Sequence, residues 1–288
     1  MASTTQQNTK PTGADELDPI GFDEVDQPGR LSAMYQRRST AIHTAATIVL
    51  GIIIWQAIAA NMSSLVIRPL PEIWDALVIG VTSGQLFADA SDSLQGFVIG
   101  FAIAALFGVA IGVLMAVSKV IYDFLDPWMS ALYSTPLIAL APLYIVVFGI
   151  GMTTRIAVVV TLAIFPIVLN TTTGIRATDP NLLETGKAFG ANRQQTFFKI
   201  MLPSAVPFVI AGLRLGVGRG LMGIVVAEFF GSTSGLGYRV FTSSQTFDIA
   251  AVWLGVFVLA AIGVASIRAM YVLERYVAPW RHPKKRVG

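Results

Sequence analysis

Residues 176–203, RATDPNLLETGKAFGANRQQTFFKIMLP, separate two long apolar segments and are much richer than them in charged residues. Asp179 can cap a helix that starts at Pro180, because its carboxylate accepts from free N–H groups and proline fits the first helical position. Gly190 can end that helix in a left-handed conformation. The first half of this loop is therefore predicted to be a short helix that ends in a glycine turn.

The second half of the loop has the same kind of local pattern. Asn192 can cap a second short helix that carries Phe197 and Phe198, and Pro203 is expected to end that helix and to start the next apolar segment. Large apolar side chains on a polar loop favour a surface that binds a partner. The alternative is that they pack on the base of the protein itself, and the residues alone leave both interpretations open.

Outside the loop, the sequence is typical of a membrane protein. Of its 288 residues, 54% are hydrophobic and only 13% are charged, which is too little charge to cover a water-soluble surface. Because about 20 apolar residues cross a bilayer, the sequence predicts an all-α membrane protein with six transmembrane helices. The predicted spans are about 41–60, 95–118, 127–150, 155–175, 204–226 and 250–272. Prolines are expected to kink the third and fourth spans.

The distribution of Lys and Arg predicts the orientation. With the N-terminus inside, the basic residues lie mainly in cytoplasmic segments, and the external segments hold only Arg68, Arg155 and Arg239. Six spans then place both termini in the cytoplasm. The predicted regions are a polar, disordered cytosolic tail (1–40), a transmembrane domain (41–275) that includes the 176–203 loop, and a basic cytosolic tail (276–288).

The second span carries small residues at every fourth position, which predicts close helix packing. These residues are Gly96, Gly100, Ala104, Gly108 and Gly112. A GxGxxG match at Gly218, Gly220 and Gly223 lies inside an apolar span without a preceding strand, so packing is favoured over a dinucleotide site.

Several functions are excluded by composition and motifs. The sequence has no Cys and two His, which excludes thiolate nucleophiles and zinc sites of the HExxH type. It has no P-loop, so it is not expected to bind ATP itself. The net charge is +3, but the basic residues flank apolar segments, which indicates a membrane rather than nucleic acid as the partner.

Three charged residues in or near the fifth span are candidates for a translocation path, because charge inside a membrane is costly. Arg214 lies about 15 Å along the span from its start, and Arg219 points about 140° away from it. The hypothesis is that Arg214 faces a cavity and attracts an anion; the alternative is that it holds neighbouring helix ends or carbonyls. Glu228 lies at the far end of the span, about two and a half turns beyond Arg219.

The 176–203 loop resembles the EAA motif of ABC importer permeases, which reads Glu-Ala-Ala, three residues, Gly, nine residues, Ile, any residue, Leu, Pro. Thr185 and Gly186 stand where that motif favours alanine. The matching residues of this chain are Glu184, Gly190, Ile200, Leu202 and Pro203. Further stretches are similar to nitrate, sulfonate and taurine importer permeases: Leu70-Pro71-Glu72, Gly212-Leu213-Arg214 and Gly235-Leu236-Gly237-Tyr238.

The resemblance implies a type I ABC importer permease fold in the bacterial inner membrane. It implies a homodimer that works with two ATPase subunits, which hold ATP and Mg²⁺, and with an external solute-binding protein; this chain would be a transport subunit and not an enzyme. The solute would be small and polar, such as a sulfonate, taurine or nitrate. The implied ATPase-docking residues are Glu184, Gly186, Ala188, Phe189, Gly190, Ala191, Ile200, Leu202 and Pro203.

Two other functions are alternatives. An ion-coupled secondary transporter is expected to have more spans, internal repeats and carboxylates near the membrane midplane. An intramembrane enzyme needs a nucleophile and a positioned base, which the sequence does not show.

Overall fold

The computed structural model describes residues 30–278, with side chains from residue 42 onward. Within this range every regular element is helical, which confirms the all-α prediction. The helices are α1 (Arg30–Asn61), α2 (Leu70–Thr82), α3 (Gln85–Val117), α4 (Lys119–Ser134), α5 (Ala141–Phe148), α6 (Met152–Arg176), α7 (Pro180–Ala188), α8 (Arg193–Thr196), α9 (Leu202–Gly231), α10 (Leu236–Gln245) and α11 (Ile249–Val277).

The chain divides into two compact units, one up to Ala57 and one from Ile58 onward. The first unit consists, in its described part, of most of α1. That helix begins at Arg30, inside the region predicted as a disordered tail; residues 1–29 of that tail, and residues 279–288 of the C-terminal tail, lie outside the described residues.

Five helices of the described range are long and apolar enough to cross a membrane. They are Ile42–Asn61, Gln85–Val117, Met152–Arg176, Arg193–Gly231 and Ile249–Val277. A sixth crossing results if α4 and the segment Leu137–Phe148 count as one span that is bent by 83°. Five of the six predicted spans are therefore present, the third depends on how the bent pair is counted, and the second begins at Gln85 and is 33 residues long.

The third predicted span, 127–150, is broken rather than kinked. Thr135 is extended, with ψ 140°, as expected for a residue that precedes proline. Pro136 cannot continue the hydrogen bonding of α4, and a 3₁₀ turn at Leu137–Leu140 follows before α5, which has Pro142 in its first turn. The break places Tyr133 and residues 135–138 beside α6 and α9, where they line a cavity.

Small residues allow α3, α6 and α9 to pack closely. All five small residues predicted at every fourth position of α3 are buried, which confirms the packing interpretation. A Cβ atom on Gly100 would lie 2.7 Å from Val159 Cβ of α6, so the two helices leave no room for a side chain there. Gly216 of α9 also lies close to α6, since a Cβ atom on it would be 3.0 Å from Ile167 Cδ1.

The GxGxxG match is explained in the same way for two of its three glycines. Gly220 and Gly223 are buried against α3 and α6, where they contact Phe97 and Leu162 respectively. Gly218 faces open space. Helix packing thus explains Gly220 and Gly223, whereas Gly218 lies on a face of α9 that no described residue covers.

Candidate functional site

The 176–203 loop folds locally as its sequence predicts. Asp179 caps α7 by accepting from the Asn181 backbone N–H at 2.9 Å. After α7, Gly190 adopts φ 74°; its N–H bonds to the Lys187 carbonyl and the next N–H bonds to the Gly186 carbonyl, both at 2.9 Å. This pair of bonds is a Schellman motif, which fixes the direction of the turn.

The second half of the loop is one continuous helix with the fifth span. Asn192 and Gln195 form a reciprocal capping box, with bonds of 2.9 and 2.8 Å, at the start of α8. The helix then continues to Gly231, over 39 residues. The expectation that Pro203 ends the second helix is therefore wrong. A π-helical turn at Phe197–Met201 shifts the hydrogen bonds, so that the Leu202 N–H reaches the Phe197 carbonyl and proline is accommodated in the first turn of α9.

The turn presents its apolar residue to the outside. Phe189 is 87% exposed, and Phe198 is 63% exposed. Inside the turn, Gly186 is buried against Ile200, because a Cβ on Gly186 would lie 2.6 Å from Ile200 Cδ1. Glycine in place of the motif's alanine thus makes room for Ile200, which joins the two halves of the loop.

The remaining residues of the predicted docking set lie around this turn. Glu184 and Ala188 are exposed on α7, and Ala191, Leu202 and Pro203 are half-buried. Of the two interpretations that the sequence left open, packing of the aromatic tip on the protein's own base does not hold for Phe189. A groove of about 830 Å³ beside the turn is lined by Lys187 and Arg193 together with apolar residues of α3.

The two arginines of α9 have different surroundings. Arg214 Nη2 lies 2.7 Å from Glu274 Oε2, and its guanidinium stacks 4.0 Å from the centre of the Tyr271 ring. Arg214 is thus held against α11 by a carboxylate and an aromatic ring rather than by backbone carbonyls, and these contacts give no support to a cavity-facing role. Arg219 is exposed and lies on another side of the helix, as the 100° rotation per residue predicts.

Glu228 lies in a buried polar cluster, so its position gives no support to the prediction that it lines a path. It is 0% exposed. Ser93 Oγ lies 2.8 and 2.9 Å from its two carboxylate oxygens, and the Gly237 N–H donates to it at 2.7 Å. Arg155 Nη1 is 3.8 Å from the carboxylate.

The other members of the cluster hold the connection between α9 and α10. Arg155 donates to Ser232 Oγ and, at 2.9 Å, to the carbonyl and hydroxyl of Ser234. Asp89 accepts from the Gly235 N–H and from Arg239 Nη1, both at 3.3 Å. The cluster thus contains two carboxylates and two guanidinium groups, and it joins α3, α6, α9 and α10 at the end of the bundle opposite the 176–203 loop.

Sequence reasoning missed most of this cluster. It counted Arg155 and Arg239 only as external charges and did not connect Asp89 or Ser93 with Glu228. The available signal was the excess of charged residues at the ends of the apolar segments.

Comparisons with known proteins match this architecture. Residues 108–280, more than half of the chain, match the family described as "Binding-protein-dependent transport system inner membrane component". The chain is 33% identical over 234 residues to a putative aliphatic sulfonates transport permease of Bacillus subtilis, covering 80% of this chain and 84% of that protein. It is 28% identical over 246 residues to a formylaminopyrimidine transport permease of Halalkalibacterium halodurans, covering 85% of this chain and 98% of that protein.

Among solved structures, the chain is similar to an amino acid ABC transporter crystallised with histidines. The TM-score is 0.55 at 17% identity, over 70% of this chain and 97% of that chain, and at this identity the likeness shows the fold only. These relatives give no support to the ion-coupled alternative. The match over more than half of the sequence and the bacterial sulfonate relative agree with the exposed loop described above. This chain therefore belongs to the family of binding-protein-dependent transport system inner membrane components, the permeases of ABC importers.

Proposed function

We propose that two copies of this chain form the translocation path of an ATP-driven importer for small organic anions, with aliphatic sulfonates as the first candidates. The two copies would work with two ATPase subunits, which hold ATP and Mg²⁺, and with an external solute-binding protein. The chain would lie in a bacterial cytoplasmic membrane with both termini inside, as its Lys and Arg distribution indicates.

The exposed turn at Phe189 and Gly190 is the observation that carries this proposal. A bare aromatic side chain on a rigid Schellman turn is suited to enter a pocket of a partner, because little conformational entropy is lost on binding. Its neighbours Lys187 and Arg193 add positive charge beside it, which favours a partner surface that carries carboxylates.

The structure also suggests how a docked partner moves the membrane part. The second half of the loop forms the start of the 39-residue helix that ends at Gly231. A displacement of that half of the loop is therefore expected to reach the middle of the bundle along this one helix. For this to drive transport, ATP and solute must each favour one of two arrangements of the helices.

Two observations support an anionic solute such as a sulfonate. The first is the name of the sulfonate permease relative, which is 33% identical. The second is an exposed arginine on α9 among spans of the described range that carry few charges. Because another relative is named for a formylaminopyrimidine, transport should be measured with a panel that contains an alkanesulfonate, taurine, nitrate and a formylaminopyrimidine.

Docking is tested by replacing Phe189 with alanine in the chain co-expressed with its ATPase. Loss of a central interface aromatic commonly costs about 2 kcal/mol or more, so we expect about a thirtyfold weaker association and loss of ATPase from the purified complex. The matched control is Phe87→Ala, at the other end of the bundle, because Phe87 is 64% exposed. Equal recovery of ATPase with Phe189→Ala and with the control would refute the docking role.

A further inference from the structure

Arg219 lines a small cavity at the break of the third span. The cavity has a volume of about 180 Å³, is partly open, and is lined by Tyr133 and residues 135–138, by two residues of α6, and by Arg219 and Met222 of α9. Tyr133 and Thr135 stand on one side, and the buried residues Leu162 and Phe165 form an apolar wall. The Arg219 guanidinium carbon lies 5.5 Å from the centre of the Tyr133 ring.

No carboxylate neutralises this arginine among the described side chains. Arg214 and Arg155 each have an acidic partner, but Arg219 forms no ion pair with a residue of the described range, and none of the described residues that line the cavity is acidic. At 1.5 Å per residue it is about 18 Å along α9 from Gly231, well within the span. Charge at such a depth costs about 2.5–3.5 kcal/mol on insertion scales, so it is expected to serve binding or to face water.

The neighbouring groups are suited to an anion. Thr135 donates its hydroxyl proton to the Ala131 carbonyl at 2.9 Å, so it offers no free proton. The Tyr133 hydroxyl has no hydrogen-bond acceptor among the described residues, so it is available as a second donor beside the guanidinium. The apolar wall lowers the local dielectric constant, which strengthens the attraction between a bound anion and Arg219. The volume equals that of about six water molecules, at about 30 Å³ each, which suits one small anionic group.

We infer that Arg219 and Tyr133 form an anion-binding subsite of the translocation path, which holds the sulfonate group of the solute. The inference rests on the proposed function, since it names the part of the path that recognises the charge. It assigns this task to Arg219 and not to Arg214, which is occupied by Glu274. Because Arg219 belongs to the same helix as residues 193–203 of the loop, a shift of that helix is expected to move the guanidinium relative to Tyr133 and to change the affinity of the subsite.

The absence of cysteine from the sequence allows a direct test. Arg219→Cys introduces the only thiol of the chain, and the variant is reconstituted in proteoliposomes with a cysteine-free ATPase and the binding protein. We expect the KM for an alkanesulfonate to rise about tenfold or more, as loss of a charged hydrogen bond predicts. Modification with aminoethyl methanethiosulfonate, which restores a positive charge, should recover most of the loss, and sulfonatoethyl methanethiosulfonate should not. Excess alkanesulfonate should slow both modifications.

Two control variants separate this role from a structural one. Arg268→Cys removes another exposed arginine of a membrane helix and should leave the KM unchanged. Arg219→Lys keeps the positive charge and should keep the KM within about threefold of that of the unmodified complex. This variant still tests the subsite if the cysteine variant assembles poorly.

The outcomes also distinguish the subsite from the proposed function. Sulfonate uptake by the unmodified complex, together with an unchanged KM for Arg219→Cys, overturns the subsite alone. Equal recovery with both reagents, or failure of the introduced thiol to react with either of them, also overturns it. If the unmodified complex imports only a neutral solute, both the proposed substrate class and the subsite are wrong.

Discussion

Replacement of Glu228 by alanine should destabilise the protein more than replacement of an exposed charged residue does. Its carboxylate is fully buried, and it accepts hydrogen bonds from Ser93 and Gly237. Removing one partner of a buried ion pair leaves the other charge uncompensated, which costs about 3–5 kcal/mol. The charge left behind is Arg155, which is itself nearly inaccessible to solvent.

The magnitude follows from what each substitution retains. Glu228→Gln keeps an oxygen that accepts from Gly237 and Ser93 but loses the negative charge 3.8 Å from Arg155. Neutral hydrogen bonds are about half as strong as charged ones, so we expect a cost of about 1–2 kcal/mol. Glu72→Ala is the matched control, because its ion pair with Arg68 is 47% exposed on the glutamate side. Such surface pairs contribute about 0–1 kcal/mol after screening by solvent.

The assay is thermal unfolding of the purified chain in detergent, followed by the loss of the monodisperse peak. At about 2–4 °C per kcal/mol, Glu228→Ala should lower the midpoint by roughly 6–20 °C, and Glu72→Ala by no more than a few degrees. The order of the three variants carries more weight than the absolute shifts. If Glu228→Ala melts together with Glu72→Ala, the buried cluster does not hold the helices in the way that we describe.

Two further predictions concern glycines. Gly100→Leu should destabilise the protein by about 1–3 kcal/mol, because Val159 Cβ occupies the space that a new side chain would need. The control is Gly51→Leu in α1, which has nothing within 4 Å of its Cβ position and should unfold at the same temperature as the parent. Equal unfolding temperatures of the two variants would contradict the close packing of α3 and α6. Gly190→Val should reduce co-purification of the ATPase, because a β-branched residue at φ 74° costs about 1–2 kcal/mol. Gly190→Asn should retain co-purification, because asparagine tolerates the left-handed conformation. Recovery of the same amount of ATPase with both variants would show that the turn conformation is unimportant for docking.

Local patterns were sufficient to predict several elements of the fold. A run of about 20 consecutive apolar residues is enough to predict a span, because the hydrocarbon core of a bilayer requires a helix of that length. The turn at Gly190 is likewise determined by its neighbours, since Asp179 and Asn192 cap helices through bonds to residues two or three positions away. The small residues of α3 predicted packing because their spacing equals one turn of a helix.

Contacts between distant parts of the chain could not be predicted in this way. Ser93 and Glu228 are 135 positions apart, and Asp89 and Arg239 are 150 apart, so no spacing rule connects them. Helical periodicity correctly separates Arg214 from Arg219, but it does not tell which of the two has an acidic partner on α11. The continuation of the helix through Pro203 depends on the π turn before it, which removes the hydrogen bond that proline would otherwise break.

Three features lie at different heights along the helix Arg193–Gly231 and the turn that precedes it, and they are therefore expected to have different mechanical roles. The Glu228 cluster fixes one end through hydrogen bonds to α3, α6 and the start of α10. The other end carries the exposed turn, and Arg219 lies between them. A force applied at the turn is therefore expected to move the loop end most, Arg219 less and Glu228 least. Weakening the cluster by Glu228→Gln should then reduce the coupling of ATP hydrolysis to uptake while binding of the ATPase is retained, because the helix loses its fixed point and keeps its docking surface.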